Sequence, residues 1–243
     1  FTYPKQGGTE ALIKAFIDKL SAKVKIHTNT KVEEVQKNND GFTVKTSSGT
    51  FKADKIVSTM PANELCHIYQ TADKPQEILD AADDLKYNSI AIGIVNVSKD
   101  KAGDNFAFMI ADKDVKFHRL SKLDFLGSHY HKAGTATYMV EITYRKNDLN
   151  DKASDAELTG KIIEGLQKIG FIDSSEEVNF TDIKRFEYAY VIYDLNHRRN
   201  MDKIKAWFAE EGVHLNGRFG SFEYLNMDAV IEQSQKLAKS LIG

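Results

Sequence analysis

The stretch from Val213 to Asp228 restricts what this chain can fold into more than any other. Val213-His214-Leu215-Asn216 reads as a short strand, and Gly217-Arg218-Phe219-Gly220 as the glycine turn that ends it. Beyond the turn, Asn226 or Asp228 can cap a helix whose apolar residues Val230, Ile231, Leu237, Ala238 and Leu241 recur at helical spacing. Strand, turn and helix N-terminus together gather unpaired backbone N–H groups and the positive end of a helix dipole at one place. An anionic or electron-rich ligand fits there, although any strand-to-helix connection also needs a turn and a cap.

Composition narrows the setting. A chain of 243 residues with 42% hydrophobic content can bury a sizeable core, in one large or two modest domains. The net charge of −2, with both signs interspersed, gives no reason to expect nucleic acid or an anionic membrane as partner. No apolar run approaches the length of a transmembrane segment. The single Cys66 excludes an intramolecular disulfide and fits a cytoplasmic location. Its place in a helix beginning near Asn63 makes it a core thiol.

Two grammars alternate along the chain. Thr9-Glu10 opens a helix with Leu12, Ile13, Phe16, Ile17 and Leu20 on one face. Strand-like runs over 31–36, 41–47 and 50–58 come next, joined by hairpin turns at Asn38–Gly41 and Ser47–Gly49, which predicts a β-meander. Ser58-Thr59-Met60-Pro61 ends the last run where such sheets bind ligands, outside the carboxyl end. From about residue 83 the strands lengthen and alternate: 89–97, 107–111, 117–120, 135–144 and 180–193. Ser154-Asp155-Ala156-Glu157 is a capping box that opens a helix among them. A helix over 201–211 carrying Trp207 and Phe208 then leads back to the first region. The expected fold class is α/β plus α+β: residues 1–82 and 197–243 form a Rossmann-like body with the meander, and 83–196 a mixed-sheet domain inserted in it.

Four segments carry a resemblance, in order along the chain. They are Tyr3-Pro4-Lys5-Gln6-Gly7-Gly8 before a helix, and Lys31-Val32-Glu33-Glu34-Val35 through Ile56-Val57-Ser58-Thr59-Met60-Pro61. The third is Tyr188-Ala189-Tyr190-Val191-Ile192-Tyr193-Asp194-Leu195, and the last Gly217-Arg218-Phe219-Gly220-Ser221-Phe222-Glu223-Tyr224-Leu225-Asn226-Met227-Asp228. The chain resembles the FAD-dependent amine oxidase superfamily, with UDP-galactopyranose mutases and protoporphyrinogen-oxidase-like flavoproteins nearest in pattern. The resemblance implies FAD as cofactor, contacted by Val32, Pro61, Gly217, Asn226, Met227 and Asp228. It implies Arg218, Tyr224, Arg119 and Tyr190 on the substrate side, with Arg218 on a diphosphate, and makes 1–82 with 197–243 a partial FAD-binding domain. The family usually has proline where Val191 stands, which leaves the placement of the neighbouring tyrosines open.

The superfamily begins with a G-x-G-x-x-G unit that holds the FAD pyrophosphate. No such unit occurs in this sequence. The chain therefore reads as the C-terminal portion of a longer flavoenzyme whose partner is an N-terminal FAD-binding portion of the same protein. An anionic small-molecule substrate is expected, a nucleotide sugar in surface-polysaccharide synthesis first and a protoporphyrinogen-type oxidation second. A non-catalytic binding module without its own cofactor is the reading from another class. Nothing in the sequence names a catalytic residue. No metal is expected, because His129-Tyr130-His131 lacks further ligands at suitable spacing. Glu141, inside an apolar strand, needs a partner; catalysis or an interdomain salt bridge would supply one.

Overall fold

The computed structural model describes residues 4–127 and 132–242. Tyr3 and His129-Tyr130-His131 lie outside the described residues. The first elements are α1 (Glu10–Ile17), β1 (Val32–Asn38), β2 (Gly41–Thr46), β3 (Gly49–Ala53), β4 (Ile56–Ser58), α2 (Ala62–Ile68), β5 (Tyr69–Gln70) and α3 (Gln76–Asp83). Next come β6 (Lys86–Val97), β7 (Ala107–Met109), β8 (Arg119–Lys122), β9 (Ala136–Tyr144), α4 (Leu149–Lys152), α5 (Asp155–Lys168) and β10 (Val178–Ile192). The last are α6 (His197–Glu211), β11 (Val213–Leu215), the single turn α7 (Gly217–Gly220) and α8 (Met227–Ile242). They divide into two compact units, residues 1–25 with 88–189 and residues 26–87 with 190–243. The segment 1–25 thus groups with the long strands, where the sequence reading set it beside the meander.

The unit of 26–87 and 190–243 holds a mixed sheet of order β3-β2-β1-β5. Its hairpins are antiparallel, and β5 runs parallel to β1 with Val35 beside Tyr69. The single strand expected over 50–58 is two. The chain breaks at Asp54-Lys55, and Ile56–Ser58 leaves the meander to pair in parallel with Val213–Leu215. That pairing joins the two sequence segments of the unit. Its core includes Leu65, Cys66, Tyr69, Ile204 and Phe208, all essentially without exposure. The Tyr69 ring meets Trp207 and Phe208 edge-on, and its hydroxyl donates to Glu211 at 2.8 Å.

The unit containing 88–189 is built on a five-stranded sheet of order β10-β6-β9-β8-β7. A mixed sheet was expected here, yet the pairs β6–β9, β9–β8 and β8–β7 are all antiparallel. Strands that alternate apolar and polar residues suit antiparallel ladders with one covered face, whereas parallel pairs need long crossovers. Helix α5 supplies part of the cover. Leu158, Ile162 and Leu166 are fully buried with Val95, Tyr138, Val140 and Ile142. Each such side chain stabilises the unit by about 1.5–3 kcal/mol. The capping box forms as the sequence predicts: the Ser154 hydroxyl accepts from the Glu157 N–H, and the Glu157 carboxylate accepts from the Ser154 N–H.

Two glycines of α5 separate helix propensity from packing. A Cβ at Gly165 would lie 2.5 Å from a ring carbon of buried Phe117, while at Gly160 it would meet open space. Gly165→Ala is expected to destabilise by about 1–3 kcal/mol and Gly160→Ala to stabilise by about 0.5–1 kcal/mol, read as opposite shifts of the urea midpoint. Burial also pushes the Cys66 thiol up to about 12. Cys66 should stay unmodified by a thiol reagent at about pH 8 and react fully once guanidinium unfolds the chain; rapid labelling of the folded protein would contradict its burial.

Candidate functional site

The site begins where β4 and β11 end. The Asn216 N–H donates to the Ser58 carbonyl at 2.9 Å, carrying the ladder one step past β11. Gly217 then turns the chain at φ 78°, a left-handed conformation that favours glycine. A Cβ at Gly220 would lie 2.8 Å from the Ser58 carbonyl oxygen, so α7 rests directly on the end of β4. The Asn216 side chain donates to Ser234 Oγ at 2.8 Å, tying α8 to the turn.

Beside this junction lies an apolar cleft of about 380 Å³, lined by Val32, Val35, Val44, Leu65 and the stretch from Lys55 to Met60. Val32 and the end of β4, far apart in sequence, therefore share one cavity. A Cβ at Gly217 would meet the side chain of Thr59, one of the lining residues, at 3.8 Å. Pro61 does not line the cleft; it is the extended residue that turns the chain into α2. Helix α8 starts at Met227, which puts Asn226 in the capping position, its carbonyl accepting from Val230 N–H at 3.0 Å. Asp228 falls in the first turn instead of capping it, and all three residues are exposed.

Arg218, Tyr190 and Tyr224 come together. The Arg218 guanidinium lies 4.3 Å from the Tyr224 ring centroid and 5.4 Å from that of Tyr190. Those two rings are nearly parallel, 6.1 Å apart. Arg218 Nη1 also donates to the Leu225 carbonyl at 3.3 Å. The arrangement holds a half-buried cation in one orientation against two aromatic faces. Tyr193, legible in the sequence only as one of a row of tyrosines, accepts the Tyr224 N–H at 2.6 Å. His197 donates from Nε2 to the Phe222 carbonyl at 2.8 Å. Sequence reasoning did not single out His197, because a histidine opening an amphipathic helix carries no signal for a contact across the chain.

Arg119 belongs to the other unit. It faces Glu141 directly across the β8–β9 ladder, donating from Nε at 2.7 Å and again from Nη2 to the same oxygen. Glu141 is 1% exposed. One partner of Glu141 thus lies within its own sheet, where the sequence offers catalysis or an interdomain salt bridge as the reason for a buried carboxylate. His118 donates its backbone N–H to the Glu141 carbonyl and brings Nε2 to 3.8 Å from the carboxylate. Burial, helped by the Arg119 charge, pulls the His118 imidazole below its usual value in spite of Glu141. Among the described residues, no three His, Cys, Asp or Glu side chains are grouped to hold a metal ion.

The model of the flavin-containing amine oxidoreductases matches residues 2–240. The chain belongs to that family. Among solved structures it is similar to a reduced UDP-galactopyranose mutase, with a TM-score of 0.82 and 17% identity over 91% of this chain and 47% of that one. A proposed protoporphyrinogen oxidase from Exiguobacterium sp. 255-15 matches with a TM-score of 0.79 and 16% identity, over 96% and 51% of the two chains. Putrescine oxidase bound to putrescine matches at 0.67 and 15%, over 97% and 53%. At these identities the likeness is one of fold. The chain spans about half the length of these solved relatives. No curated protein matches its sequence.

Family members bind FAD. The apolar cleft, with Val32 in its lining, and the close seat of α7 on β4 suit one wall of a flat, largely apolar cofactor. The sequence contains no G-x-G-x-x-G, the pattern of the glycine-rich cradle that holds a dinucleotide pyrophosphate.

The Arg119 region makes two outcomes measurable. The depressed His118 means that the unfolded chain takes up a proton near pH 6.5 that the folded chain refuses. Stability should therefore fall as pH drops through 6.5, and His118→Gln should flatten that limb in urea melts at graded pH. Replacing Arg119 with Met leaves the buried Glu141 carboxylate without its guanidinium, and should cost about 3–5 kcal/mol at neutral pH. A loss under 1 kcal/mol, or about the value of an exposed pair, would show that Glu141 is held by other groups.

Proposed function

We propose that this chain is the C-terminal part of an FAD-dependent oxidoreductase or mutase acting on an anionic small molecule, with a nucleotide sugar as the favoured class. The observation that carries the reading is the fixed guanidinium of Arg218 beside the stacked Tyr190 and Tyr224. A guanidinium offers a planar fork to a diphosphate, and the ring faces offer a surface to a base or sugar. Bound flavin would supply the redox or nucleophilic chemistry. The residues of this chain bind and orient. In this reading Val32 and Gly217 would lie along the flavin side, with Pro61 next to the lining residue Met60, and the start of α8 at Asn226 to Asp228 would stabilise negative charge on the ring as a helix N-terminus does. The sheet unit of 88–189, the bulk of the 83–196 segment, would form the substrate-binding domain, with Arg119 on its substrate side. We propose further that a preceding polypeptide of comparable length supplies the pyrophosphate site.

Two measurements test this. The 243-residue chain purified alone should be colourless, with no flavin absorbance after addition and removal of excess FAD; stoichiometric retention would show that these contacts suffice. In the complete FAD-loaded protein, Arg218→Ala should weaken UDP binding by about 2–5 kcal/mol without lowering flavin content. Arg218→Lys should recover part of the loss, since it keeps the charge and loses the fork. Unchanged UDP affinity in Arg218→Ala, or binding of a tetrapyrrole in place of UDP, would overturn the nucleotide-sugar assignment.

A further inference from the structure

The loop between α7 and α8 contains a conformation that needs explaining. Phe222 sits at φ 51° with no exposure, the left-handed region that bulky residues seldom enter. Such a residue persists only where its surroundings over-determine it. Here each of four successive residues is held. The Phe222 carbonyl accepts from His197 Nε2 at 2.8 Å, so that nitrogen carries the proton. Glu223 donates its N–H to the Arg218 carbonyl and pairs with Lys205 at 2.6 Å. The Tyr224 N–H donates to Tyr193 Oη at 2.6 Å, and the Leu225 carbonyl accepts from Arg218.

We infer that Tyr193 and His197 are positioning residues that lock the 222–225 loop and thereby fix Arg218 and Tyr224 for ligand binding. The inference rests on the anion-binding reading of Arg218. The two pins come from one place, the entrance of α6. Their rings meet edge-on at 4.6 Å, and Asp194 accepts the His197 backbone N–H at 2.9 Å. They are therefore set relative to each other before they meet the loop. A cleft of about 230 Å³ lined by Tyr193, His197, Met201, Lys205 and Glu223 flanks this contact. It leaves space into which the loop moves once a pin is lost. Releasing the Tyr224 N–H frees the ring that faces Arg218, and releasing the Phe222 carbonyl frees the backbone from its left-handed turn.

The test uses the complete FAD-loaded protein and titration with UDP. Tyr193→Phe removes the acceptor of the Tyr224 N–H, and His197→Ala removes the donor to Phe222; each should weaken UDP binding by about 5–30-fold. Flavin content should stay at the level of the unmodified protein. His197→Gln, which keeps a donor, should recover most of the affinity. Either pin variant combined with Arg218→Ala should lose less than the sum of the two single losses, because part of each pin's effect acts through that residue. Unchanged UDP affinity in both pin variants, or losses that add to that of Arg218→Ala, would overturn the inference. If Arg218→Ala alone leaves UDP affinity unchanged, the anion-binding reading fails by itself. Hydrogen exchange then decides the lock: a faster Tyr224 amide in Tyr193→Phe upholds it, and unchanged protection refutes it.

Discussion

The parallel pairing of Ile56–Ser58 with Val213–Leu215 is the constraint on which the rest of one unit depends. Three residues on each strand bring two distant sequence segments into register. The Ser58 carbonyl then limits the path of the chain beyond β11, taking the Asn216 N–H and leaving no room for a side chain at Gly220. The position of α7, and with it the direction in which Arg218 leaves the backbone, is set by these contacts. The apolar cleft beside β4 is closed on its other sides by Val32 and Val35 of β1, Val44 of β2 and Leu65 of α2.

The second unit solves a different problem. Its sheet places a carboxylate, Glu141, on an otherwise apolar strand and meets the cost of burying it with the facing Arg119. An ion pair of this kind, buried on the Glu141 side and partly exposed on the Arg119 side, adds little net stability compared with an apolar pair, but leaving the buried carboxylate alone is severe. It fixes the β8–β9 register, because a shift of one residue would strand the carboxylate on the wrong face.

What could be read from sequence was what is encoded locally. The Asn38–Gly41 and Ser47–Gly49 hairpins, the Ser154–Glu157 capping box, the amphipathic α6 and α8 and the strand before Gly217 each have a signature within a few residues. The family was legible because four such segments occur in order, and the match over residues 2–240 bears it out. The remainder depends on distant partners. Asp54-Lys55 looks like continuing strand until Val213–Leu215 draws Ile56–Ser58 into another sheet. The two residues of β5 are too few to show a period, and strand direction in the 88–189 sheet is a property of connections, not of composition. The meeting of Arg218 with Tyr190 and Tyr224 was readable only as a likeness of motifs. The left-handed Phe222 carried no signal, since sequence favours glycine at such a site and the compensating groups lie on α6.

Helices α1 and α8 are both amphipathic, yet among the described residues neither buries a single side chain. In α1, Ile13, Phe16 and Ile17 are each about half exposed, and in α8 the same holds for Met227. A helix of such length gains most of its stability from packing, so these faces are adhesive as they stand. Self-association of the chain in isolation would then measure greasiness rather than quaternary design, and a gel-filtration peak larger than a monomer would be poor grounds for assigning a native oligomer.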